Sequence, residues 1–69
     1  MSVVKIIEVS AASPSGFEDA VRRGIATASK TVHGIQGAWV SEQKVCVEDG
    51  NVTEFRVTMR ISFLVEDES

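Results

Sequence analysis

The sequence predicts an α+β subunit of order β-α-β-β, a three-stranded antiparallel sheet wrapped over one helix. Three observations predict it. A β-branched run opens the chain, one apolar stripe at helical spacing fills the middle, and an Asp-Gly pair divides two extended segments at the end. With 69 residues the chain has room for one small domain, residues 1–69, and none for a second.

The first element, Val3-Val4-Lys5-Ile6-Ile7-Glu8-Val9-Ser10, is β-branched, bounded by small residues, and reads as a strand. Ala11-Ala12-Ser13-Pro14 reads as a break. Ser15-Gly16-Phe17-Glu18 has the form of a capping box, in which the Ser15 hydroxyl and the Glu18 carboxylate each accept from an orphan backbone N–H. Phe17, Ala20, Val21, Ile25, Ala28 and Val32 then form one stripe, with Arg22, Arg23, Thr27 and Lys30 mostly off it, so a helix is expected over 15–33. Its last turn holds His33, facing the negative end of the helix dipole, and Gly34 supplies a C′ position.

The remainder reads as a long hairpin. Asp49-Gly50 suits a two-residue type I′ turn, whose central residues both need positive φ. That turn places Val47 opposite Val52, Cys46 opposite Thr53, Gln43 opposite Arg56, Ser41 opposite Thr58, and Trp39 opposite Arg60. In the last strand Phe55, Val57, Met59, Ile61, Phe63 and Val65 share one side, and Glu54, Arg56, Thr58, Arg60 and Ser62 the other. The apolar side, joined by Ala38 and Val40, should cover the helix. A strand from Val52 to Val65 spans ~45 Å, against ~28 Å for a helix of about 19 residues. The hairpin therefore bends strongly or overhangs its helix.

Several classes are excluded by composition. Seven Lys and Arg are scattered among ten Asp and Glu, for a net charge of -3, and no basic stripe is present to bind nucleic acid. No apolar run reaches the ~18 to 20 residues of a membrane span, and the N-terminus has no signal-peptide pattern. The acidic Glu66-Asp67-Glu68 reads as a solvated, frayed end. One cysteine and one histidine rule out an intrachain disulfide and a closed Cys/His zinc site. A lone reduced cysteine fits the cytoplasm. A chain this short usually needs a staple, and association with further copies is the one left.

No catalytic constellation is visible, so no enzyme is expected. His33 has no nucleophile beside it in sequence, and Cys46, between two valines, reads as a small hydrophobe. Glu48-Asp49 belongs to a turn, and the spacing of Glu42 and Glu54 requires no metal. The polar side of the hairpin is more informative, since it gathers Gly37, Trp39, Ser41, Gln43, Arg56, Thr58 and Arg60. A Trp opposite an Arg allows a cation–π contact, and the neighbouring amide, hydroxyl and guanidinium groups suit a planar or anionic ligand. The competing reading makes Trp39 an interface anchor and the arginines intersubunit ion-pair partners. Both hold together if ligands bind between subunits.

The stretches Val4–Val9, Ser13–Val21, Ala28–Val32, Val40–Lys44, Glu48-Asp49-Gly50 and Phe55–Phe63 stand in an order and spacing by which the sequence resembles the dodecin family over nearly its whole length. The resemblance implies a β-α-β-β subunit, a hollow homododecamer, and flavin (FMN, FAD or riboflavin) bound between subunits for storage rather than turnover. The family's flavin-stacking tryptophan aligns with Gly37, and the glutamine that binds the isoalloxazine edge aligns with Arg56. One basic residue is kept in kind as Lys44, and another is replaced by Leu64. Trp39 lies two positions beyond the lost tryptophan, on the same face but ~6.7 Å away.

The expectation is non-enzymatic sequestration of a flavin-type molecule by Gly37, Trp39, Gln43, Lys44, Arg56 and Arg60, with metal ligands unassigned. The alternative is a shell without flavin that holds another ligand or metal ions. Catalysis at a subunit interface would require Glu42, Lys44 or Arg56 to converge across chains.

Overall fold

The computed structural model describes residues 3–65, and the acidic Glu66–Glu68 lies outside them. The order is β1 (Val3–Ser13), α1 (Phe17–Ala28), β2 (Ile35–Glu48) and β3 (Asn51–Val65). β3 is the central strand, antiparallel to β1 on one side and to β2 on the other.

The alternation of β3 decides the core. Val57, Met59 and Ile61 are fully buried with Ala20 of α1, and Ile7, Val9, Ala11, Phe17, Val21, Ile25, Ala28 and Ile35 pack around them. Each such aliphatic side chain contributes roughly 1.5–3 kcal/mol by leaving water. Phe17 meets Phe55 edge to face, with ring centroids 5.2 Å apart, at the N-terminal end of the helix.

β1 continues through Ala11-Ala12-Ser13, where the sequence suggests a break. Those residues pair with Val57, Arg56 and Phe55. The small size of Ala11 serves the helix: a Cβ on Gly24 would lie 3.0 Å from the Ala11 Cβ and 2.6 Å from the Met59 Cε, so α1 seats directly on the sheet only because Gly24 and Ala11 are both small.

The helix is shorter than 15–33 and its cap is built differently. Ser15 and Glu18 form no capping box: Gly16 is the N-cap residue, with no side-chain cap bond, and Glu18 pairs with Arg22 at 3.0 Å. The corner is held by buried Ser13, whose hydroxyl accepts from the Ser15 N–H at 3.0 Å and donates to Asp19, itself ion-paired with Arg23 at 2.6 Å. At the other end the Ser29 hydroxyl bonds to the Ile25 carbonyl, and Lys30 and Thr31 donate to Thr27 and Ala28, three residues back. Such tight bonds end a helix, and the Ser-Lys-Thr-Val run has little propensity to continue one.

Val32 and His33 therefore lie in the connection to β2, beyond the helix. Gly34 does take a left-handed φ of 77°, but at the entrance to β2, where its carbonyl accepts from the Leu64 N–H at 3.0 Å.

The hairpin turn is as expected, with φ of 51° at Asp49 and 78° at Gly50. What it fails to do is cover the helix. α1 lies over β1 and β3, and Ala38 and Val40, opposite Ile61 and Met59 on the helix side, stay exposed. Twelve helical residues reach ~18 Å, whereas the fifteen of β3 reach ~50 Å. The subunit accordingly measures 56 × 20 × 13 Å with a radius of gyration of 14.4 Å, against ~11 Å for a compact chain of this length.

Two expectations test this packing. Met59→Ala should lower the unfolding free energy by about 2–5 kcal/mol in a denaturant titration, and a loss under 1 kcal/mol would contradict the central place given to Met59. The Ser13 hydroxyl, and beyond it the Arg23 guanidinium, hold the Asp19 carboxyl below its ordinary value of 3.8, against the opposing pull of partial desolvation. A carboxyl lowered by folding contributes stability above that ordinary value and loses it as the pH falls through the lower folded value. Asp19→Asn should therefore lower the melting temperature near neutrality, with the gap from the parent closing in acid; a gap that stays constant with pH would remove the carboxylate from the account.

Candidate functional site

The sheet face turned away from α1 carries the sequence-derived candidates, and cross-strand pairing fixes their neighbours. One row across the three strands is Glu8, Arg60 and Trp39; the next toward the strand ends is Ile6, Ser62 and Gly37. In the other direction come Ser10, Thr58 and Glu42, then Ala12, Arg56 and Lys44. Directly opposed residues share a face and lie within reach of one another, so Gly37, Trp39, Lys44, Arg56 and Arg60 stand on a single surface.

Gln43 does not join them. The expected pairing of Gln43 with Arg56 is replaced by Gln43 with Val57, on the helix side, and Lys44 takes the place opposite Arg56. Cys46 likewise faces Glu54 rather than Thr53, and Thr58 pairs with Glu42. The cause is a pair of bulges. Thr53 is unpaired on β3, and its hydroxyl donates to the Cys46 carbonyl at 3.2 Å; Ser41 is unpaired on β2, and its hydroxyl donates to the Thr58 carbonyl at 3.1 Å.

Each bulge adds one residue, on opposite strands, so the second cancels the first. Trp39 thus meets Arg60 as a regular hairpin would have it, while the segment between the bulges is shifted by one and turned over. A further shift between Ile35 and Gly37 lies beyond the tryptophan.

The chemistry of the face is mixed. Trp39 is 48% exposed, and among the described residues it makes no cation–π stack with Arg60. Among the same residues Arg60 makes no ion pair, whereas Arg56 is engaged: it donates to Glu54 at 2.8 Å and reaches the Ser10 hydroxyl at 3.4 Å. Lys44 and Arg56 are like charges directly opposed, an arrangement that costs stability unless a counter-charge intervenes, and Glu54 supplies part of it.

At Gly37 the face is open. A Cβ there would touch only the Ser62 Oγ, at 3.6 Å, and that hydroxyl donates to the Gly37 carbonyl at 3.2 Å. Glu8 and Ser10 enter the face from β1, a contribution the hairpin alone could not reveal, although their shared parity on β1 was a usable signal. Among the described residues no group of three or more His, Cys, Asp or Glu could hold a metal within one subunit, and no helix is long and apolar enough to cross a membrane.

The subunit is thus a β-α-β-β unit with an overhanging hairpin, bearing Trp39 and Arg60 on the sheet face away from α1. The family model for dodecin matches residues 3–66, and the chain belongs to the dodecin family. It is 32% identical over 63 residues to calcium dodecin of Mycobacterium tuberculosis, covering 91% of this chain and 89% of that protein.

Among solved structures, dodecin from Streptomyces davaonensis superposes with a TM-score of 0.91 at 29% identity, over 96% of this chain and 97% of that one. Dodecin from Streptomyces coelicolor gives 0.91 at 28% identity, over 97% and 96%. The crystal structure of the M. tuberculosis calcium dodecin, a calcium-chelating antigen with a calcium-binding site, gives 0.82 at 29% identity, over 99% and 97%.

The opposed cations generate a test. Lys44→Glu places a carboxylate opposite Arg56 and should raise stability by about 0.2–1 kcal/mol in a urea titration. A destabilised Lys44→Glu variant would show that the two side chains do not meet as the pairing requires.

Proposed function

We propose that this chain assembles into a hollow shell of twelve copies that binds and sequesters a small molecule without converting it. The ligand lies against the Trp39–Arg60 face at a junction between subunits, and a flavin (FMN, FAD or riboflavin) is the first candidate. The observation that carries this reading is a half-exposed Trp directly across from an Arg with no ion-pair partner among the described residues, on a face that α1 leaves open. The indole offers a plane for stacking, and the guanidinium offers a planar, charged fork for a carbonyl edge or a phosphate. Lys44 and Arg56 add positive charge two rows away. Family membership supports binding without turnover.

The second reading is a shell that holds cations or another ligand in place of flavin. Two observations favour it: the likeness to a calcium dodecin, and the loss of the stacking plane at Gly37. With no acidic cluster of three among the described residues of one subunit, a cation would draw carboxylates such as Glu8 or Glu42 from more than one copy.

Fluorescence titration of riboflavin separates the two. Flavin emission should be quenched on binding, and Trp39→Ala should weaken the affinity roughly tenfold, or ~1.4 kcal/mol. Gly37→Trp should strengthen it, since the position has space for a side chain. Unquenched riboflavin with a chelator-sensitive assembly would transfer the assignment to cations, and an unchanged affinity in Trp39→Ala would remove Trp39 from the site.

A further inference from the structure

Beyond Trp39 the open face loses its side chains on one strand and gains apolar ones on the other two. On β2 the next two rows hold Gly37, paired with Ser62, and Gly34, whose carbonyl accepts from the Leu64 N–H at 3.0 Å; Gln36 lies outside the pairing between them. On β1 and β3 the same rows carry Ile6, Val4 and Leu64, which are 39 to 52% exposed. The Ser62 hydroxyl is already bonded to the Gly37 carbonyl at 3.2 Å. The floor of this depression therefore asks nothing polar of a ligand.

Its Trp39 end is charged. Glu8 and Arg60 stand directly opposite each other on β1 and β3, and among the described residues neither forms an ion pair. An exposed pair of this kind adds little stability when it closes, so opening it to a ligand costs little. Even when closed, the guanidinium keeps further donors and the carboxylate further acceptors. The two side chains thus present an acceptor and a donor side by side.

We infer that Glu8 is a ligand-reading residue, which with Arg60 recognises the lactam edge of a fused-ring ligand. The carboxylate accepts from the ring N–H, and the guanidinium donates to the adjacent carbonyl. The opposite, apolar edge of the ring lies over Gly37 against Ile6, Val4 and Leu64. This inference rests on the flavin reading and adds which way round the ring lies, since an isoalloxazine has two such unlike edges. The four residues from Arg60 to Leu64 span ~13 Å, room for fused rings rather than a single one. A uniformly polar base would leave the apolar end of the depression without a partner. A wholly apolar molecule would cover Glu8 and Arg60 without bonding to them, which is costly for charged groups.

Equilibrium dialysis against lumiflavin and N3-methyl-lumiflavin tests this, because the methyl group removes the ring N–H and leaves the carbonyls and the apolar edge in place. The parent protein should bind lumiflavin roughly tenfold more tightly, the loss expected for one hydrogen bond to a charged group. Glu8→Ala should bind both probes alike, at the weaker affinity. Glu8→Gln should keep part of the preference, since an amide carbonyl also accepts. Leu64→Gln should weaken both probes by the same factor and leave the preference intact.

Equal binding of the two probes by the parent protein, a comparison that needs no variant, would overturn the role of Glu8 while leaving flavin binding in place. A preference undiminished in Glu8→Ala would do the same. Unchanged affinities in Leu64→Gln would overturn the position given to the apolar edge. A parent protein that binds neither probe would overturn the flavin reading and this inference together.

Discussion

A helix of ~18 Å cannot cover a strand of ~50 Å, and the rest of the subunit follows from that mismatch. The chain places its buried side chains, Val57, Met59 and Ile61, where the helix lies, and leaves the hairpin beyond Phe55 without a second layer. An extended two-stranded ribbon is marginal by itself in water. The subunit is thus elongated, and its hairpin carries apolar side chains that no described residue of the subunit covers.

Where the helix sits is fixed by small residues. Gly24 and Ala11 let the α1 backbone come down on β1 and the Met59 side chain, and Ser13 ties the first turn through Asp19 to Arg23. Seated there, α1 covers β1 and β3 and leaves β2 open. The two sides of β2 then have different fates. One carries Trp39 beside Arg60, and the other carries an uncharged strip ending at the turn.

Much of the fold was legible because it rests on periodicity. The stripe from Phe17 to Ala28 gave the helix, alternation from Phe55 to Phe63 gave the buried side of β3, and Asp49-Gly50 gave the turn. The failures were at places where tertiary contacts override local pattern. Ser15 and Glu18 fit a capping box but were outcompeted by Ser13 and Arg22, which no local spacing announced. The helix ended five residues early because serine and β-branched residues follow Ala28, a composition signal that the stripe, reaching to Val32, outweighed. Ala11 to Ser13 looked like a break because nothing local reveals that a small residue is needed under Gly24 at Ala11 and a hydroxyl at the corner at Ser13.

The site was legible in part for a more particular reason. Neither bulge has a strong sequence signature, since Ser41 and Thr53 are ordinary strand residues whose hydroxyls happen to close the irregularity. Trp39 kept its expected partner only because the two errors cancel. Gln43, lying between them, was turned to the helix side. On the shell reading, association with further copies stabilises a subunit whose hairpin has no second layer of its own. Equilibrium unfolding of the parent protein over a hundredfold range of concentration tests it most directly, because association stabilises the folded state by mass action. A midpoint that rises with concentration is the predicted result, and a midpoint independent of concentration, with a sedimenting mass of one subunit, would contradict it.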